Sequence, residues 1–525
     1  MTSTLRKAGL AALAVTLAFA GALYGVDKPA EAATGPQLVA DMGAGWNLGN
    51  TLEANSNGIP SETAWGNPAA TQALIDRVAA SGFKTIRIPV SYLGKIGAAP
   101  NYTVDTAWLN RIKEVVDYAY NKGLYVLINM HGDGYKSITG AWLICDAADQ
   151  TTIRAKYQKV WQQVATKFSA YNDHLIFESM NENFDGQYGQ PTQPCYSNIN
   201  AYNQIFVDTV RQTGGVNTSR WLLVPGWNTN IDYTAGNYGF VIPTDTYRSS
   251  TIPAAEQRLM ISVHYYDPWD FTGTEDGTIT QWGASATNAA KKSTWGQEDF
   301  MDGQLKKMYD TFVTRGYPVF VGEYGSIDKT AYDSASNTYR AAYARALVAT
   351  AKKYGAATAY WDNGYNGQHG FGLFNRSNNT VTQQGIIDAI KAGLGTTTSP
   401  SPSTSTSPSP STSTSPSTPP ATGACKVTSV VNAWNTGLTN TVNITNTGTT
   451  AINGWSLAFT LAGGQAITSG WSATYAPASG TVTATNVGYN GSVPAGGSVS
   501  IGYQATHTGN SAAPTGFKLN GATCS

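Results

Sequence analysis

The sequence predicts an α/β fold, a closed (β/α)8 barrel of parallel strands, followed by a smaller all-β sandwich. Two observations carry this. Across residues 34–394 a short apolar run followed by a helical pattern recurs eight times, and after a tract of Ser, Thr and Pro, residues 424–525 turn to alternating runs rich in Thr, Val, Asn and Gly. Eight βα units over about 360 residues fit a closed parallel barrel better than an open doubly wound sheet. Alternation punctuated by Gly-containing turns reads as an antiparallel sandwich. At 525 residues the chain is also longer than one core usually serves.

Taken in order, the apolar runs of the first unit lie at 45–48, 85–90, 124–130, 175–180, 221–225, 259–265, 318–322 and 357–361. Helical periodicity fills 68–81, 108–122, 153–168, 199–211 and 339–354, and the fifth repeat has the least distinct helix. The tract at 395–423 is too polar and proline-rich to pack, and proline keeps such segments extended at up to ~3.1 Å per residue, so it reads as a linker between units that work independently. In the second unit, 441–445, 455–460 and 498–503 alternate as strands.

The N-terminus has the order of an export signal over residues 1–32: Arg6 and Lys7, an apolar run from 8 to 24, then Ala30-Glu31-Ala32. The run is short for a bilayer span, and a secreted, extracellular protein with no membrane part is expected. An oxidising destination favours pairing of the four cysteines, Cys145, Cys195, Cys425 and Cys524. Of the three possible pairings, 145–195 and 425–524 place one bridge inside each unit.

Only 13% of residues are charged and the formal net charge is zero, which leaves no electrostatic basis for gripping nucleic acid or anionic lipid. Fourteen Trp and twenty-nine Tyr supply flat apolar faces with a polar edge, suited to an uncharged, sugar-like partner. Chemistry in such a barrel sits at the C-terminal strand ends. There the sequence places Arg87 in TIRIPV, His131 in LINMHGD, Asn181 and Glu182 in FESMNEN, His264 and Tyr266 in SVHYYD, Glu323 in VFVGEYG and Trp361 in AYWD. Any one could be an ordinary polar residue, but six strand ends agree. Two carboxylic acids, from the fourth and seventh strands, are what glycoside hydrolysis requires: a proton donor for the leaving oxygen and a group that attacks or stabilises the sugar carbon. About 5 Å between them would mean retention of configuration, and a wider gap inversion.

This set, in this order, resembles glycoside hydrolase family 5 over most of residues 40–365, as does the opening GWNLGNTLEA at 45–54. The resemblance implies Glu182 as general acid/base, Glu323 as nucleophile and Asn181 as the partner of the attacked sugar's 2-hydroxyl. Physical argument supplies the other roles. Arg87 would keep Glu323 ionised, with Tyr266 orienting it, whereas Glu182 should have a raised pKa to carry a proton. His131 and His264 would bond substrate or a glutamate, and Trp361 would floor the sugar site. The fourth-strand motif reads Asn-Glu-Asn where many relatives have Asn-Glu-Pro, so the local loop should differ. Glu178 alternates toward the core or a supporting position. Glu53, Asp133 and Asp267 are loop candidates for substrate contact, and Trp46, Trp65, Trp142, Trp227, Trp269 and Trp282 are candidates either for the cleft or for packing.

In the second unit Trp434, Trp471 and Tyr489 stand beside Gly or Asn in turn-like sequence, where a large ring is hard to bury, whereas Trp455 alternates with Leu457 and Phe459 as core. The segment from VNAWNTG to FKLNGATC resembles carbohydrate-binding module family 2, with Tyr489 where Trp is commoner. That implies a three-ring platform for cellulose. Together the residues predict an endo-β-1,4-glucanase, with β-mannanase or xyloglucanase as rivals on the same barrel and a non-catalytic cellulose-binding protein disfavoured by the paired glutamates. No cofactor or metal is expected: Gly43-x-Gly45-x-x-x-Gly49 misplaces the third glycine of a dinucleotide loop, and the five histidines include no H-x-H or H-E-x-x-H pair. A monomer acting on cellulose or a related β-linked polysaccharide completes the expectation.

Overall fold

The computed structural model describes residues 33–395 and 425–524, apart from 472 and 487–489. The side chains of 432, 434, 469, 471 and 500 are likewise not described. The expected signal segment and linker therefore lie outside the described residues.

Eight parallel strands close into a barrel in sequence order: β1 Ala44–Asn47, β2 Thr85–Ile88, β3 Tyr125–Ile128, β4 Leu175–Glu178, β5 Leu222–Pro225, β6 Leu259–Tyr265, β7 Val319–Tyr324 and β8 Ala356–Tyr360. β1 pairs with both β2 and β8, Gly45 standing opposite Thr85 on one side and Ala359 on the other. A side chain on Gly45 would drive its Cβ to 2.4 Å from the Thr358 carbonyl oxygen, so closure at this seam requires glycine. All eight strands are buried throughout, which explains their unbroken apolar runs.

The barrel interior follows the period of two. Tyr125, Leu127, Ile176, Leu223, Met260 and Phe320 form an inner cluster, and α1 (Gly35–Met42) closes its N-terminal end with Leu38 and Met42. The outer faces pack against the ring of helices in a larger cluster that includes Trp46, Ile86, Val126, Phe177 and Trp161. Helices begin where a polar side chain can accept the first free N–H groups: Asp105 accepts from Trp108 N ahead of α2 (Thr106–Tyr120), and Asp149 from Thr152 N ahead of α3 (Gln150–Lys167). The indistinct fifth helix is a single turn at Ile231–Ala235, followed by Gly- and Pro-rich chain. Two helices that periodicity does not single out, Glu298–Thr311 and Gln384–Gly393, complete the sixth and eighth units after long excursions. Cys145 and Cys195 form a disulfide that ties the loop after β3 to the start of the helix Cys195–Gln212.

The second unit is built mainly of two antiparallel sheets, with a short pair of Ile452–Asn453 and Ser492–Val493 beside them. One orders β9 (Cys425–Trp434), β10 (Gly437–Asn446), β15 (Ser498–Thr506) and β12 (Ala466–Trp471). The other has five strands: β13 (Ala473–Ala476), β14 (Thr481–Asn486), β11 (Ser456–Thr460), β16 (Thr515–Leu519) and β17 (Ala522–Thr523). Inward alternation places Leu438, Val442, Ile444, Leu457, Phe459 and Ile501 in one core. Trp455 is buried there, its indole N–H donating to the Asn490 carbonyl at 2.7 Å. A Cys425–Cys524 disulfide joins the two ends. Trp434 and Trp471 are strand residues whose side chains, like Tyr489 altogether, lie outside the described residues. Among the described residues no helix is long and apolar enough to cross a membrane.

Candidate active site

The alternation that fills the barrel with apolar side chains turns polar one layer higher. Thr85 gives way to Arg87, Leu127 to Asn129, Ile176 to Glu178 and Met260 to Ser262, all buried. Arg87 is the hub. Its Nε donates to Glu178 Oε2 at 2.7 Å, Nη1 to Glu323 Oε1 at 2.7 Å and to Asn47 Oδ1 at 3.0 Å, and Nη2 to Asn181 Oδ1 at 2.8 Å. Glu178 also accepts from Asn129 Nδ2 at 3.0 Å and Ser262 Oγ at 2.6 Å. It supports Arg87 from below and faces no cleft. Asn47 and Asn129 were not singled out in the sequence, although Asn47 ends the first apolar run and Asn129 precedes His131 by one inward step.

The rim brings Glu182 and Glu323 together with His264. One carboxylate oxygen from each glutamate and a ring nitrogen of His264 all lie within 4.8 Å of one another. His264 Nδ1 is 2.7 Å from Glu182 Oε1 and 3.6 Å from Glu323 Oε2, and Tyr266 donates to Glu323 Oε2 at 3.1 Å. The register of β6 against β7 shifts between Val263 and His264, with Gly322 the extra residue on β7. Gly322 leaves space for the imidazole: a Cβ there would stand 3.3 Å from its Nε2. On its other side Glu182 Oε2 accepts from the Tyr135 hydroxyl at 2.7 Å, and Tyr135 in turn accepts from Asn181 Nδ2 at 2.6 Å. Tyr135 is a loop residue that no spacing distinguishes.

The ionisation order of the two glutamates is the reverse of the expectation. Burial works against the Glu182 anion, but the hydrogen bond and charge of His264, with the Tyr135 hydroxyl, outweigh it and hold Glu182 below the ordinary carboxylate range. Burial raises Glu323, His264 and Arg87 pull it back, the charge of Glu182 pushes it up again, and the net direction is upward. The sequence cannot reveal that His264 sits against one glutamate and not the other. His131 is kept well below its usual pKa by burial, then by the charges of Arg87 and His264, so it is neutral. Its ring lies parallel to Trp361, 5.9 Å between centroids and 7° between planes, which fixes the indole at the mouth of the barrel.

These groups line a cleft of about 660 Å³ that also includes Tyr188, Trp269, Asp267 and Phe371. Trp269, 55% exposed, is therefore a cleft residue. Trp65, 45% exposed, lines an adjacent hollow with Tyr365. Trp46, Trp227 and Trp282 are packing residues, and Trp142 anchors a loop through its bond to Asp133. Glu53 and Asp133 do not contact the cleft. Both are buried: Glu53 accepts from the Asn50 and Thr51 N–H groups of its own loop, and Asp133 accepts from Tyr92 N, tying its loop to the one after β2. Asn183, the departure from Asn-Glu-Pro, is buried and donates from its side chain to the Leu143 carbonyl at 2.8 Å, a tie between two rim loops that proline could not make.

A parallel barrel with two facing carboxylates, an arginine behind one and an indole floor is a glycoside-hydrolase architecture. Comparison with known proteins agrees. Residues 49–367 match the Cellulase (glycosyl hydrolase family 5) family and residues 425–524 the Cellulose binding domain family. Endoglucanase A of Paenibacillus barcinonensis is 66% identical over 399 residues, 75% of this chain and 100% of that protein. Endoglucanase B of Clostridium cellulovorans is 34% identical over 401 residues, 74% of this chain and 83% of that protein. Among solved structures, a family 5 xyloglucanase from Paenibacillus pabuli is 70% identical with a TM-score of 0.67, covering 68% of this chain and all of that one. The chain belongs to glycosyl hydrolase family 5, and it is a glycoside hydrolase that carries a cellulose-binding domain.

Proposed function

We propose that the enzyme hydrolyses internal β-1,4-glucosidic bonds of cellulose with retention of configuration. The observation that supports retention is that one carboxylate oxygen of Glu182 and one of Glu323 lie within 4.8 Å of each other, which fits the ~5–5.5 Å carboxyl separation of retaining pairs better than the ~6.5–9.5 Å of inverting ones. Glu323, oriented by Arg87 and Tyr266, attacks the anomeric carbon of a sugar lying over Trp361. Glu182 gives a proton to the departing oxygen, and the glycosyl–Glu323 ester forms as that bond breaks. Glu182 then removes a proton from water as the water displaces Glu323. The first step needs a proton on Glu182 and Glu323 ionised, and positive charge developing at the anomeric carbon in front of Glu323 favours its anion. Asn181 has one N–H left after serving Tyr135, free for the 2-hydroxyl.

Residues 1–32 direct secretion, the enzyme acts as a monomer, and the C-terminal unit holds it on cellulose through Trp434, Trp471 and Tyr489, raising the local concentration of bonds. A second reading, action on xyloglucan, is favoured by the 70% identity to the Paenibacillus pabuli xyloglucanase. Reducing-sugar release from a soluble cellulose derivative, xyloglucan and glucomannan in parallel separates the readings. The cellulose derivative is expected to be preferred and the activity lost in Glu323→Ala. Preference for xyloglucan or glucomannan would replace the substrate, and survival of activity in the variant would overturn the site.

A further inference from the structure

The hydrogen bonds around Glu182 have a direction. Arg87 Nη2 donates to Asn181 Oδ1, Asn181 Nδ2 donates to the Tyr135 hydroxyl, and that hydroxyl donates to Glu182 Oε2, at 2.8, 2.6 and 2.7 Å. Each link is spoken for: the amide is oriented by the guanidinium, and the phenol, having accepted from the amide, has its proton to give. Such a chain polarises cumulatively away from the positive charge. Arg87 thus reaches Glu323 directly and Glu182 through two intermediates. The geometry points to Tyr135 as a positioning residue for Glu182, the last donor of a relay from Arg87 that fixes the carboxyl group's orientation and stabilises its anion. This rests on the reading of Glu182 as acid/base.

The phenol is suited to the task. Burial, followed by the charges of Glu182 and Glu323, pushes its pKa well above the ordinary value, so it remains a donor through any working pH. The groups facing Glu182 are His264 from β6, Tyr135 from the loop after β3, Glu323 from β7 and, at longer range, Arg87 from β2. Of these, Tyr135 can be altered by one oxygen without removing a charge. The relay also has a use in the cycle. A Glu182 that held its proton too tightly would be a poor acid when the glycosidic oxygen departs, and without the phenol its only close partner would be His264.

The test is the pH dependence of kcat/KM on soluble cellulose derivative for the full chain and Tyr135→Phe. With Glu182 held below Glu323, the limb that follows the Glu182 proton is the acidic one. Losing the donor should move that limb upward by about one pH unit, the scale of one charge-assisted hydrogen bond. kcat should fall about tenfold, with KM within twofold. A dinitrophenyl cellobioside, whose leaving group needs no proton, should lose much less. 3,5-Difluorotyrosine placed at position 135, a stronger donor, should move the limb downward, and it decides the matter if Tyr135→Phe does not fold. A limb unmoved by both replacements, in an enzyme that Glu182→Ala inactivates on polysaccharide, would overturn the relay and leave the role of Glu182 standing. Full activity of Glu182→Ala would overturn that role and the relay with it.

Discussion

Glu178 separates support from chemistry in this site, and its replacement can be worked through from the structure. The carboxylate is fully buried and accepts from three donors, the Arg87 guanidinium at 2.7 Å, Asn129 at 3.0 Å and Ser262 at 2.6 Å. In Glu178→Ala all three lose their partner in a place water does not reach. Removing one side of a buried ion pair costs about 3–5 kcal/mol, to which each orphaned neutral donor adds roughly 1–3 kcal/mol. Even ~4 kcal/mol would lower the melting temperature of a barrel of this length by ~5 °C. In Glu178→Gln the amide oxygen can take the Arg87 and Asn129 bonds while its NH2 donates to a rotated Ser262 hydroxyl, so folding should be nearly unchanged. The difference appears in charge. Arg87 is then neutralised by Glu323 alone, a like charge has gone, and both effects lower the pKa of Glu323. Because Glu323 is the higher-titrating member of the pair and the proposed attack needs it ionised, the basic limb of kcat/KM should move to lower pH by about one unit. Calorimetry and a pH–rate profile make the assay. An alanine variant melting within 2 °C of the parent, or a glutamine variant whose basic limb rises, would refute this account of Arg87 as a shared counter-ion.

Other consequences follow from the same forces. Burial pushes Glu53 up to about 7, with its loop N–H groups and Arg376 only partly opposing. The folded state therefore binds this proton more tightly than the unfolded chain, and the group's contribution falls as pH rises from about 4.5 to 7, by roughly 3 kcal/mol in all. The difference in melting temperature between parent and Glu53→Gln should accordingly favour the parent more at pH 5 than at pH 7.5. The Cys425–Cys524 bridge spans 99 residues, so Cys425→Ser with Cys524→Ser should cost the sandwich ~4.7 kcal/mol, seen in calorimetry of the full chain as loss of one transition while the barrel's is kept. Trp361→Ala should remove the floor that His131 braces, lowering kcat/KM at least tenfold with little change in the pH profile, measured on soluble cellulose derivative.

Much of this architecture was legible because periodicity and burial coincide. The barrel strands are buried on both sides, so each appears as an apolar run, and the residue ending it is the one that reaches the rim. Arg87, His131, Glu182, His264, Glu323 and Trp361 were all recoverable in that way. Tyr135 was not, since it lies in a loop and owes its importance to the position of Asn181, 46 residues later. The same limit explains the inverted ionisation order: charge type could be read, whereas which glutamate His264 touches depends on the register between β6 and β7, where Gly322 is an extra residue. Glu53 and Asp133 looked like substrate ligands because an acid in a loop is usually solvated, yet both had turned inward to satisfy backbone N–H groups.

Arg87 makes the two glutamates one titrating unit, which bears on how variants combine. Glu178 acts on its Nε and, by way of Asn181, Tyr135 is tied to its Nη2. Glu178→Gln concentrates the guanidinium's charge on Glu323 and strengthens the polarisation reaching Glu182, and Tyr135→Phe cuts that path. If the relay carries charge effects, the acidic-limb shift caused by Tyr135→Phe should be larger in the Glu178→Gln background than in the parent, with a coupling of at least ~0.5 kcal/mol. Residues acting only by packing their own neighbours would give additive shifts. Four pH–rate profiles form the cycle, and additivity within error would mean that Arg87 serves its acceptors independently.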